Sequence, residues 1–252
     1  MHTGGDGVEE RDGVLWEEIG WVDLEEYLRR DDRAIFPVGS CEQHGRHLSF
    51  ATDYLIPTEI ARRVSARTRV AVTPTLCFGM SVHHMEFPGT ISFSADTFVA
   101  AVRDIVESLF RHGFRRLLIL NGHGGNIAPI TNALVPLLDR HRDLRIKVGH
   151  WWQDANVQGV LRELFGDVEY HAAVGETSAI MALRPGIPKM ERAAFSPWVE
   201  GIEAKGPRHW KTFFPHGSTG VDPAKASPRI GERLLDAAVQ RFTREIMEWS
   251  DL

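Results

Sequence analysis

Between Cys41 and Asp53 the chain runs Cys-Glu-Gln-His-Gly-Arg-His-Leu-Ser-Phe-Ala-Thr-Asp, a stretch denser in candidate metal ligands than any other. The apolar residues 34 to 39 just before it read as a buried strand. Extended chain beyond Gly39 sets Glu42 and His44 on one side, because side chains alternate with period two. After a turn at Gly45, Thr52 or Asp53 is placed to cap a helix over 54 to 67, with Pro57 tolerated in its first turn. Two carboxylates and an imidazole thus converge at a strand end. These nitrogen and oxygen donors suit zinc, manganese or iron(II), and the set lacks the thiolates of a closed structural zinc site. Taken singly, each residue also has a plain reading: a solvated glutamate, a loop histidine, a helix cap.

A second cluster, Asn121-Gly122-His123-Gly124-Gly125-Asn126, follows the apolar run 116 to 120 and precedes a helical pattern. His123 therefore sits at the carboxyl end of another strand, where open α/β sheets place their sites. Gly124 and Gly125 either make a tight strand-to-helix turn or let backbone amides approach a ligand or a developing oxyanion. A further strand at 144 to 149 runs into His150-Trp151-Trp152-Gln153 at the same sheet end. Trp151 and Trp152 suit a flat pocket wall for a planar amide or ring, and equally a core or an interface. In the loop 81 to 90, set by a Pro88-Gly89 turn, His83, His84 and Glu86 diverge as neighbours in sequence and are substrate contacts at most, with His84 the candidate.

Taken in order, the motifs Pro-Val-Gly-Ser-Cys-Glu-Gln-His-Gly-Arg-His-Leu at 37 to 48, Asp53, Phe-Pro-Gly-Thr at 87 to 90, the histidine cluster at 121 to 126, and His171 with Gly-Glu-Thr-Ser at 175 to 178 resemble the creatininase (creatinine amidohydrolase) family. The resemblance spans about residues 34 to 230. It implies a two-metal centre with Glu42, His44, Asp53, His123 and Glu176 as ligands and Asp53 bridging, and a homo-hexamer. One departure stands out: similar enzymes that open creatinine carry Tyr-Glu where this chain has Gly124-Gly125. The glutamate ligand of that loop is missing, so the fifth ligand falls to Glu176, and the substrate is expected to be one other than creatinine. The glycine version looks more like the branch that holds formamidopyrimidine deformylases and peptide-trimming members.

Glu176 opens an apolar helix over 177 to 183, where a buried carboxylate calls for a countercharge that a divalent cation supplies. The alternative is a first-turn glutamate stabilised by the helix dipole. His171 titrates near neutrality when unperturbed and can protonate a leaving amine, or can orient Glu176 from behind. The expected reaction is hydrolysis of an amide or related C–N bond in a small substrate, open or cyclic, by water activated at two divalent ions. Two competitors are a catalytically silent oligomeric module that binds metal or a small ligand, and a two-metal phosphoesterase. Retention of His171 disfavours the first, and the scarcity of cations in these motifs beyond Arg46 disfavours the second.

The supporting elements follow from the same patterns. Strands near 34, 70, 116 and 144 alternate with helices, which predicts a three-layer α/β fold with a mostly parallel sheet flanked on both faces. Helices are expected at 94 to 112, after 126, and at 230 to 249, and one or two short ones between 14 and 30 with Asp23 as a cap. The proline- and glycine-rich stretch 185 to 228 reads as a functional loop or an oligomer arm, with His216-Gly217-Ser218-Thr219-Gly220 left as loop. With 252 residues, 43% hydrophobic and 25% charged, the chain is expected to form a single domain over 14 to 252 behind a floppy, glycine- and acid-rich tail at 1 to 13. A net charge of -5 argues against a nucleic-acid surface. Two cysteines, no export signal and no apolar run approaching the ~20 residues of a membrane span predict a cytoplasmic protein without a membrane role.

Overall fold

The computed structural model describes residues 13–166, 170–199 and 206–249. Strands β1 (Val14–Leu15), β2 (Arg33–Val38), β3 (Ala71–Val72), β4 (Arg116–Asn121) and β5 (Arg145–His150) form one sheet in the order β1-β3-β2-β4-β5. Every pairing is parallel. β2 pairs with β4 from Arg33↔Arg116 to Val38↔Asn121, and β4 with β5 from Arg116↔Arg145 to Asn121↔His150. Their carboxyl ends are therefore flush, and whatever follows Val38, Asn121 and His150 emerges along one edge.

β2 and β4 are apolar on both faces because helices cover both, as parallel sheets require, whereas the edge strand β5 is only partly buried. Ile35, Leu118 and Leu120 face a core shared with α2 (Thr52–Thr68), α5 (Ala155–Phe165), α6 (Val174–Leu183) and α8 (Pro228–Met247). Ala34, Phe36, Leu117 and Ile119 face the opposite core, with α1 (Trp21–Leu28), α3 (Ala95–Arg111) and α4 (Ile127–Arg140). This is the expected three-layer α/β arrangement. α6 and α8 approach closely at Gly231, where a Cβ would lie 2.0 Å from the Ser178 carbonyl oxygen.

Several elements differ from expectation. Val14 and Leu15 belong to the sheet edge beside β3, not to a helix, because a two-residue strand carries too little period to be told from a helical start. Asp23 lies inside α1 and accepts a hydrogen bond from the Gly20 amide at 2.8 Å, so it closes the helix start from its third position. The strand expected near 70 is only Ala71–Val72. Pro74 has no amide to donate, and the chain rejoins the sheet only through a bridge between Val38 and Leu76. α5 was not foreseen, and neither was α7 (Pro207–Phe213) inside the proline- and glycine-rich stretch, where Pro207 at the first helical position is compatible with a start.

Cys41 and Cys77 are free. Among the described residues no helix is long and apolar enough to cross a membrane. Apart from Gly13, the expected tail lies outside the described residues, as do 200–205 of the expected loop.

Candidate metal centre

Two glycines decide how the ligand segments meet. A Cβ on Gly39, just past β2, would lie 2.5 Å from the Asp53 carbonyl oxygen, and one on Gly122, just past β4, would lie 2.0 Å from the same atom. Both strand ends thus press on the first turn of α2, and Asp53 is held between them. The sequence predicts Thr52 or Asp53 as the N-cap of a helix from 54, but Ala51 holds that place without a side-chain cap and α2 starts at Thr52. The Asp53 carboxylate is left to reach sideways. Its Oδ1 lies 2.9 Å from His44 Nε2 and its Oδ2 lies 2.9 Å from His123 Nδ1.

The far nitrogen of each imidazole is tied to backbone. His44 Nδ1 is 3.2 Å from the Glu42 carbonyl oxygen, and His123 Nε2 is 3.1 Å from the Met80 carbonyl oxygen. In its neutral form each imidazole puts its proton where the backbone acceptor waits, which turns the His44 Nε2 and His123 Nδ1 lone pairs inward. These nitrogens face carboxylates: Asp53 and, at 3.8 Å, Glu176 Oε1 for His44; Asp53 and, at 3.3 Å, Glu42 Oε1 for His123. Glu42 Oε2, His44 Nε2 and Asp53 Oδ2 are all buried and none is aligned for a hydrogen bond. Lone pairs turned on one another in a buried site fit cations between them.

The surrounding carboxylates favour positive charge at these nitrogens, a proton when no ion is bound and a cation in its place. Burial disfavours the charged form of His44 and His123, yet the carboxylates of Asp53 and Glu176 around the first, and of Glu42 and Asp53 around the second, hold both well above the usual imidazole range. Burial likewise opposes charge on Glu42 and Asp53. His123 and His84 outweigh it for Glu42, and His44 and His123 for Asp53, so both carboxyls sit well below their usual range. Ligand atoms of Glu42, His44 and Asp53 lie within 4.8 Å of one another, and so do those of His44, His171 and Glu176. Donor groups of this kind can hold a divalent cation. Glu176 serves its helix as well: Oε2 accepts from the Ala172 amide at 2.6 Å while Oε1 turns to His44.

Comparison with known sequences places this geometry. The sequence model of the creatininase family, described as creatinine amidohydrolase, matches residues 17–246. The chain belongs to the creatininase family. It is accordingly a metal-dependent amidohydrolase. It is 30% identical over 260 residues to the creatinine amidohydrolase of Pseudomonas putida, covering 92% of this chain and 95% of that one. It is 31% identical over 249 residues to the mycofactocin precursor peptide peptidase of Mycobacterium tuberculosis (strain CDC 1551 / Oshkosh), covering 92% and 91%. Among solved structures, a mutant creatininase of the Zn–Zn type superposes with a TM-score of 0.82 at 29% identity, covering 94% of this chain and 98% of that one.

Within the creatininase fold, this chain's departure in the histidine loop has a steric basis. A Cβ at Gly125 would lie 2.2 Å from the Met80 carbonyl oxygen and 2.4 Å from His123 Nε2, so the position is closed to any side chain. Gly124 has nothing within 4 Å, which leaves open space above the ligands. Both glycines line a cavity of about 150 Å³ that also reaches His84, Trp152 and His171. Trp151 does not: it is 1% exposed and packs in the core beneath, so of the two tryptophans expected as a wall only Trp152 faces the cavity.

His171 is set by the segment left as loop in the sequence. Its amide donates to the Thr219 carbonyl at 3.0 Å, its carbonyl accepts from the Thr219 amide at 2.9 Å, and Ser218 Oγ donates to the Ala172 carbonyl at 2.8 Å. Ala172 takes a left-handed φ of 50°, a strained conformation for alanine that these bonds hold in place. Burial, then the neighbouring His44 charge, push the His171 imidazole below its usual range. Sequence reasoning missed two cavity residues, Tyr170 and Trp210, and His83, a substrate contact at most in the sequence, lines the cavity beside His84. The Trp210 ring lies edge-on to His84 with centroids 4.6 Å apart and to His171 at 5.6 Å. Its signal was the helical spacing of Trp210, Phe213 and Phe214, hidden among prolines and glycines.

Proposed function

We propose that this enzyme hydrolyses an amide or related C–N bond in a small substrate other than creatinine, with Glu42, His44, Asp53, His123 and Glu176 holding two divalent cations. The observation that carries the reading is the Asp53 carboxylate, whose two oxygens each lie 2.9 Å from the inward-facing nitrogen of a buried imidazole. Zinc, manganese or iron(II) bound there supplies Lewis acidity and water ionised near neutral pH. The chain's own groups do the rest. His171 Nδ1 lies 3.7 Å from Glu42 Oε1, at the boundary between ligands and cavity, where a neutral imidazole accepts a proton and returns it to the departing amine. Trp152 and Trp210 wall the cavity with flat apolar surface that excludes water and suits a planar amide. The space above Gly124, where creatinine-opening relatives carry a tyrosine, and the closure at Gly125 support a substrate of different shape. The enzyme acts, in this reading, as a cytoplasmic homo-hexamer, the assembly the family resemblance implies.

The test combines metal analysis with a substrate screen. Protein purified without added metal is expected to carry about two divalent ions per chain, with one lost or weakened in Glu176→Ala. The metal-repleted wild type is expected to turn over simple cyclic amides or formamides and to leave p-nitrophenyl phosphate intact. A wild type that takes up no zinc, manganese or iron(II) overturns the reading. Turnover of the phosphate ester alone replaces it with a phosphoesterase.

A further inference from the structure

We propose that Gln43, between the ligands Glu42 and His44, is a positioning residue that fixes where the protons sit on His84 and His171, so that one offers the site a donor and the other a lone pair. The consequence for catalysis rests on the hydrolase reading above; the proton placement does not.

The orientation of the Gln43 amide is unambiguous. Its Oε1 accepts from the Gly45 amide at 3.0 Å and its Nε2 lies 3.0 Å from the Gly217 carbonyl oxygen, so a flipped amide would set donor against donor and acceptor against acceptor. Gly217 permits this approach: its φ is 75°, and a Cβ there would lie 2.0 Å from Gln43 Oε1. Nε2 has two protons and three neighbours: the Gly217 carbonyl, His84 Nδ1 at 2.9 Å and His171 Nε2 at 2.9 Å. One proton must go to Gly217, which can only accept. His171 Nε2 also lies 3.0 Å from the Gln43 backbone carbonyl, another group that only accepts, so that nitrogen carries a proton and donates it there. The second Nε2 proton of Gln43 is then left for His84 Nδ1. This assignment makes all three bonds. Leaving His171 Nε2 bare instead would turn its lone pair on the Gln43 carbonyl and leave His84 Nδ1 without a partner, in a site where both rings are buried.

Both histidines thus carry their proton on Nε2 but face opposite ways. His84 presents Nδ1 to Gln43 and directs its Nε2 proton at Glu42 Oε1, 3.4 Å away. It therefore steadies a ligand carboxylate and is not itself a ligand, although its ring is near enough to count among the metal-binding candidates. His171 presents its proton to the Gln43 backbone and keeps Nδ1 bare toward the cavity, which is the form a proton acceptor needs.

Nitrogen-15 NMR of histidine-labelled protein at about pH 8 with zinc added, above the ~6.5 at which free imidazole titrates, reads the tautomers directly. The two rings are assigned with His84→Phe and His171→Phe. The expected result is a protonated Nε2 and bare Nδ1 on both. In Gln43→Glu the carboxylate oxygen replaces the donor, and the His84 proton is expected to move to Nδ1 while His171 stays as it was. A wild-type spectrum with the proton on Nδ1 of either ring overturns the proposal, and so does a folded Gln43→Glu whose His84 tautomer is unchanged. Should Gln43→Glu not fold, the wild-type spectrum decides alone. None of these readouts needs turnover, so a chain that fails the hydrolysis screen can still pass this test.

Discussion

His171 and Glu176 lie one helical turn and a strained alanine apart, and the structure gives them separate work. Glu176 spends one oxygen on the Ala172 amide and turns the other toward His44, whereas the His171 ring lies over the ligands without a backbone tie on Nδ1. The two substitutions should therefore part company. His171→Ala is expected to keep its metal and lose turnover by about 10²- to 10⁴-fold, the usual contribution of a positioned proton carrier, measured as metal content beside kcat on whichever amide the screen identifies. A metal-loaded His171→Ala that retains full activity removes the residue from the mechanism. At this scale the sequence was informative where several donors crowd one short segment, as in Cys41 to Asp53, and silent where a cavity residue arrives alone from far along the chain. Trp210 lies in such a place, and so does Tyr170. Trp151 and Trp152 were indistinguishable as letters. Only the way the chain turns after His150 sends one into the core and the other to the cavity.

Elements were legible in proportion to their length and isolation. β2 and β4 are apolar runs closed by turn signals, and β5 shows the charged–apolar alternation of Arg145, Ile146, Lys147 and Val148. β1 is two residues long and is defined only by its partner β3, which lies more than fifty positions away. α7 is hidden because proline and glycine surround it, although a proline at a helix start is compatible with a helix. The approach of α8 to α6 was equally unreadable, since a glycine in a helical pattern signals a close neighbour without naming it. It is open to test. Gly231→Ala gains helix propensity but drives a methyl into the Ser178 carbonyl, 2.0 Å from its Cβ. The clash should win and destabilise the fold by about 1–3 kcal/mol, the range for overpacking, read as a lower urea midpoint at unchanged slope. A midpoint at or above that of wild type would mean that the two helices can part without loss.

Across the whole molecule, charge is organised at both ends of the sheet. At the amino edge, Asp31 pairs with Arg33 at 2.7 Å, and Arg33 reaches on to the Ile246 carbonyl of α8 at 3.1 Å, which joins β2 to the last helix. Burial alone would raise the Asp31 carboxyl, but its hydrogen bonds to Arg33 outweigh that and hold it below 3.8. The unfolded chain then binds the proton more readily, so the stabilisation is complete above 3.8 and fades as pH falls through the lower folded value. Asp31→Asn should be less stable than wild type at neutral pH, with the gap closing in denaturation curves taken below that value. A gap that persists undiminished in acid would show that the pair contributes through shape and not charge.

The carboxyl edge carries a different implication, one of timing. The proposed ligands run from Glu42 to Glu176, and their sheet strands β2 and β4 are separated by the whole of α2, β3 and α3. At about 5–20 residues per second, a ribosome delivers Asp53 on the order of ten seconds before Glu176. Throughout that interval the nascent chain has carboxylates and imidazoles but no cage. With the proposed ligand set, the full complement of ions enters only a finished chain, and the choice of divalent metal is expected to fall to competition for a completed site and not to whichever ion the emerging segment meets first.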